Sequence, residues 1–130
     1  MADLVGLHHV ALTVTDIERS TGWYRDVLGM EEVFAEQSES RGAVIMRFPG
    51  TGPVVALVQH LGADRTGFDP RRTGLDHLAF SVAERADLDA WTTRLCEQGV
   101  DCDGPHEIPP GSILNVKDPD GIALSLFWDR

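Results

Sequence analysis

The sequence predicts an α+β fold built from two tandem βαβββ modules, and three observations predict it. The phrase GLHHVALTVTD at residues 6–16 returns as GLDHLAFSVAE at residues 74–84, keeping Gly-Leu-x-His, then Ala, a hydroxyl residue, Val and a closing acid. Each copy is followed by a stretch of helical spacing that ends at a glycine. Each helix is followed by three strand-like runs parted by turn signals. A chain of 130 residues can bury one good core but is short for two, so the modules, about 1–66 and 67–130, are expected to form a single domain.

The first helix is expected over residues 16–28, with Asp16 as N-cap and Gly29 as stop; Ile17, Trp23, Tyr24, Val27 and Leu28 are its apolar residues. Strands are expected near 32–35, 43–48 and 54–60, with the turn Pro49-Gly50-Thr51-Gly52-Pro53 between the last two. A polar loop, 62–73, carries Arg65, Arg71 and Arg72 into the second module. There the helix is expected over 86–98, with Leu88, Trp91, Leu95 and Cys96 near one face and Gly99 as stop. A weak strand near Val100 and firmer ones at 113–117 and 122–128 follow, the last two joined by Asp118-Pro119-Asp120-Gly121. Trp23 and Trp91 occupy matching positions and read as core anchors, and Cys96 reads as a buried thiol outside any disulfide framework.

A helix covers one face of its sheet, so the other face is left for a partner or a ligand. Alternation along each strand assigns the side chains. Val10, Leu12 and Val14 go to the first helix, leaving His9, Ala11 and Thr13 on the open face; His8 should point away from His9. In the second copy Leu78, Phe80 and Val82 go to the helix, leaving His77, Ala79 and Ser81. Ile122, Leu124 and Leu126 pack inward, so Ala123, Ser125 and Phe127 line the other side. With Ala56, Val58, His60 and Asn115 on neighbouring strands, these residues are expected to line a cup-shaped cavity between curved mixed sheets, within one chain or across a dimer.

A net charge of -10 opposes nucleic acid and anionic membrane as partners and favours a cationic ligand. The start of the chain has no basic stretch leading into a long apolar run, and no segment approaches spanning length, so a cytoplasmic location is expected.

The duplicated module, His9 within LHHVALTVTD, His77 within LDHLAFSVAE and the closing KDPDGIALSLF resemble the vicinal oxygen chelate superfamily, which includes glyoxalase I, extradiol dioxygenases, fosfomycin resistance enzymes and bleomycin resistance proteins. The resemblance implies a homodimer that binds a small molecule. In the metalloenzymes of that group it would make His9 and His77 ligands of a divalent metal such as Ni, Zn, Fe, Mn or Co. The other two ligand positions fall on Ala56 and Ser125, neither of which suits such an ion, with His60 as the one nearby substitute. Two readings follow. One is a resistance-type binder that sequesters a bulky aromatic or cationic natural product, using aromatic residues such as Phe48, Phe127 and Trp128, with a degenerate metal site. The other is a metal-dependent lyase, isomerase or dioxygenase of the glyoxalase type that uses His9 and His77.

Overall fold

The computed structural model of the chain describes residues 2–50 and 52–130. The elements run β1 (His9–Thr13), α1 (Ile17–Asp26), β2 (Glu31–Gln37), β3 (Arg41–Arg47), β4 (Val54–His60), β5 (Leu78–Ser81), α2 (Arg85–Glu97), β6 (Cys102–Ile108), β7 (Gly111–Lys117) and β8 (Ala123–Asp129). They form two compact units that divide between Arg65 and Thr66. Each unit is one βαβββ module, so the architecture is α+β with two tandem modules. The turn expected at 49–53 includes Thr51, which lies outside the described residues.

Both sheets share one topology. In the first unit the order is β1-β4-β3-β2, and in the second β5-β8-β7-β6. The first strand of each unit pairs parallel with the last, and the other neighbours pair antiparallel. A parallel partner needs a crossover, which the helix and the two middle strands supply.

The helix ends follow from local chemistry. Asp16 accepts the Arg19 backbone N–H at 3.0 Å, and the Ile17 N–H donates to Gln59 Oε1 at 2.8 Å, which ties the start of α1 to β4. Gly29, at φ 76°, takes the left-handed turn that ends the helix region. In α2 the Glu84 backbone N–H donates to Asp87 Oδ2 at 2.9 Å, and Gly99 at φ 70° plays the part of Gly29.

Burial follows the alternation. Leu12, Val14, Met46 and Leu57 are buried on the helix side of the first sheet, and Leu114, Val116, Leu124 and Leu126 on that of the second. The aromatic anchor of α1 is Tyr24, fully buried, whereas Trp23 is half-buried. The helix turns Ser20, Thr21 and Tyr24 to the sheet, so Trp23 sits at the margin and meets Tyr24 edge to face at 5.1 Å. Trp91 is also half-buried and carries the Arg94 guanidinium over its ring at 4.5 Å. Cys96 is exposed, against expectation, because Leu88 and Leu95 alone fill the buried stripe of α2.

The weak strand expected near Val100 is β6, beginning at Cys102. It is fastened to α2 by Arg85, whose Nε and Nη2 donate to Glu107 Oε1 at 3.0 and 2.9 Å, while Ser112 Oγ donates to Glu107 Oε2 at 2.7 Å. The Ser112 hydroxyl, then Arg85, holds the Glu107 carboxyl below its ordinary value of 4.5. A depressed folded pKa contributes stability that is whole above the unfolded value and lost as pH falls through the folded one. Melts recorded from neutral pH down to about pH 3 should therefore show wild type and Glu107→Gln converging on the acid side. Exposure of the pair keeps the effect small.

Candidate functional site

The second unit holds a cavity of about 850 Å³ on the open side of its sheet, lined among others by Asp76, His77, Asp101, Asp103, Asn115, Lys117 and Ser125. Register explains the convergence. Ala79 lies beside Ser125 on β8, Ser125 beside Asn115 on β7, and Asn115 beside Asp103 on β6. Four strands thus present one residue each at the same level of one face.

These polar groups are neighbours across the sheet. Ser125 is 2% exposed and its Oγ donates to Asn115 Oδ1 at 2.9 Å. Asn115 in turn lies beside Asp103 in the β6–β7 pairing. Asp103 Oδ1 also lies 2.8 Å from His106 Nε2. The His106 hydrogen bond, with the charge of that ring and the Asn115 amide, holds the Asp103 carboxyl below its ordinary value of 3.8. Burial pushes the thiol of Cys102, also at the cavity, above its ordinary 9.0. His77 stands just before β5 with Nδ1 2.7 Å from Asp76 Oδ1, which leaves Nε2 as its free nitrogen.

The open face of the first unit is more apolar. His9, Ala11 and Thr13 are exposed as alternation required, while Ala43, Ala56 and Val58 form a buried cluster with Ile45 against it. His60, at the end of β4, lines a different cavity of about 750 Å³ between the start of α1 and the β2–β3 hairpin, which His9, Ala11, Thr13, Ala56 and Val58 do not line. His8 does not point away from His9. It precedes β1, so strand alternation does not govern it, and its Nδ1 lies 2.8 Å from His9 Nδ1.

Of the residues expected from the sequence, the structure brings His77, Asn115 and Ser125 to one cavity, with Ala79 and Phe127 on the same face. Phe48 lies just beyond β3 and is 36% exposed. Trp128 pairs with the buried Ser112, on the side away from Ser125 and Phe127. Asp76, Asp103, His106 and Lys117 are additional. The available signal was Gly104-Pro105 inside a strand, a pair that marks a bulge.

A divalent metal needs a carboxylate or further imidazoles beside each histidine. Of the two further positions that the resemblance implies, Ala56 has no donor atom and Ser125 offers a neutral hydroxyl, a poor ligand compared with a carboxylate. Among the described residues no three His, Cys, Asp or Glu side chains are placed to hold a metal ion. Neither unit by itself fits such an ion.

A family model described as Glyoxalase/Bleomycin resistance protein/Dioxygenase superfamily matches residues 6–126. The chain belongs to this superfamily. A protein similar to it is the uncharacterized protein YaeR of Escherichia coli (strain K12), 31% identical over 135 residues and 98% of each chain. The metallothiol transferase FosB of Shouchella clausii (strain KSM-K16) is 28% identical over 124 residues, 93% of this chain and 78% of that protein. The crystal structure of a glyoxylase/bleomycin resistance protein/dioxygenase domain from Frankia sp. EAN1pec superposes with a TM-score of 0.90 at 37% identity, covering 98% of this chain and 100% of that one. Among the described residues no helix is long and apolar enough to cross a membrane.

Proposed function

We propose that the chain is a small-molecule-binding protein of the resistance type, a cytoplasmic homodimer that sequesters a bulky aromatic or cationic natural product. The observation that carries this reading is Ser125. By the resemblance it takes the position where a metalloenzyme of the superfamily would present a carboxylate; the side chain is buried and its hydroxyl is hydrogen-bonded to Asn115. The cavity beside it, about 850 Å³, is of a size to take a drug-sized molecule. The acidic surface, at net charge -10, favours cations over anions at long range.

One observation favours a second reading, a metal-dependent lyase, isomerase or dioxygenase with His9 and His77 as ligands. Asp76 holds the Nδ1 of His77 and frees Nε2, which is how carboxylates orient metal-ligating histidines.

Elemental analysis of protein purified without chelator or affinity-tag metal separates the two. The binder reading expects far less than one equivalent of Ni, Zn, Fe, Mn or Co. Stoichiometric metal that disappears in His9→Ala would overturn it. Ser125→Glu is expected to raise divalent-metal affinity on the order of tenfold or more, read by calorimetric titration. No change in that titration would mean that Ser125 does not occupy a ligand position.

A further inference from the structure

We propose that Asp103 is the group that recognises a protonated nitrogen on the ligand of the second unit's cavity. This rests on reading that cavity as a binding site, and it adds which atom selects the ligand and by what chemistry.

The backbone of β6 is arranged around this residue. In a regular strand residues 103 and 106 would face opposite sides. Between them the register shifts, so that Asp103 pairs with Asn115 and His106 with Ile113, and both come to the cavity face. Gly104 makes the shift possible at φ +117°, where an added Cβ would lie 2.9 Å from the Ile113 carbonyl oxygen and 3.0 Å from the His106 nitrogen. The result is the 2.8 Å contact between His106 Nε2 and Asp103 Oδ1.

The direction of the hydrogen bonds assigns the role. The Ser125 hydroxyl donates to Asn115 Oδ1, Asn115 lies beside its register partner Asp103, and His106 Nε2 donates to Asp103 Oδ1. His106 thereby orients the carboxylate through one oxygen. A carboxylate accepts about four hydrogen bonds, so this leaves it room for a ligand. Its side chain is 73% exposed, open to an incoming group. Lys117 follows Asn115 by two residues on the same face of β7 and brings the positive charge of the cavity lining. Apolar lining from Val100 and Ile113 suits an organic body behind the protonated nitrogen. The ligand class is an amine or amidinium carried on an apolar, ring-containing frame.

Fluorescence titration with 9-aminoacridine, a cation at neutral pH, and with acridine, its neutral counterpart, tests the assignment. Wild type is expected to bind the cation more tightly. Asp103→Asn should reduce that preference about fivefold, a size set by the exposure of the carboxylate, while Glu97→Gln, an exposed carboxylate of α2 outside the cavity lining, leaves it unchanged. Melting curves establish that both variants fold. If Asp103→Asn melts early, wild type decides the matter: the preference should vanish in about 1 M salt, and its survival there overturns the proposal. Binding of both dyes with a preference untouched by Asp103→Asn overturns the role of Asp103 and leaves the binding reading intact. Failure of wild type to bind either dye overturns both.

Discussion

Gly111→Ala is expected to destabilise the protein by about 3 kcal/mol or more, a large loss for one added methyl group. Gly111 opens β7, paired with Ile108 on β6 and Asp129 on β8. A Cβ there would run into the carbonyl oxygen of Trp128 and would lie 3.0 Å from two atoms of the Phe127 ring. The first obstacle is backbone in the adjacent strand of the sheet, so it cannot swing aside as a side-chain tip would. Relief requires β7 and β8 to part at this end, with loss of their hydrogen bonds. Urea unfolding followed by tryptophan fluorescence measures the change. A loss under about 1 kcal/mol would show that the two strands do not approach this closely in solution.

The second large effect is expected in the first unit. Leu57→Ala should cost about 3 kcal/mol, within the usual span of about 2–5 for a leucine removed from a tight core. Leu57 is 0% exposed and sits on the inner strand β4, facing Leu12 of β1 on one side and Val44 of β3 on the other. The strands around it are held in register by their own ladders, so the hole cannot close. Leu7→Ala is the control. That side chain is 68% exposed, and its loss should fall within about 0.5 kcal/mol. Equal losses for the two would mean that the packing of β4 differs from that described.

Most of the architecture could be read from local chemistry. The duplicated phrase located β1 and β5, Asp16 and Gly29 bounded the first helix region, and Gly99 closed the second. Alternation assigned His9 to the exposed side because β1 is regular there; His77 is exposed as well, one residue before β5 begins. It failed where the backbone is irregular. His8 lies outside its strand, so a two-residue period had no hold on it. Asp103 and His106 meet only because the register shifts between them, and period alone places them apart. Cys96 was misjudged for another reason. Its spacing from Leu88 and Leu95 suits a helix face, but the buried stripe of α2 is narrower than that face and ends at the two leucines. The gathering of Ser125, Asn115, Asp103 and His106 on one face was beyond reach, since it joins three strands whose pairing no local pattern reports.

One property of β2 bears on how the molecule is made. All seven of its residues are exposed, it borders the first sheet, and Glu31, Glu32 and Glu36 lie along it. During synthesis the first half leaves the ribosome before the second exists, with this border uncovered. Carboxylates repel an identical border on a neighbouring nascent chain, so polymerisation through added strands is discouraged from the outset.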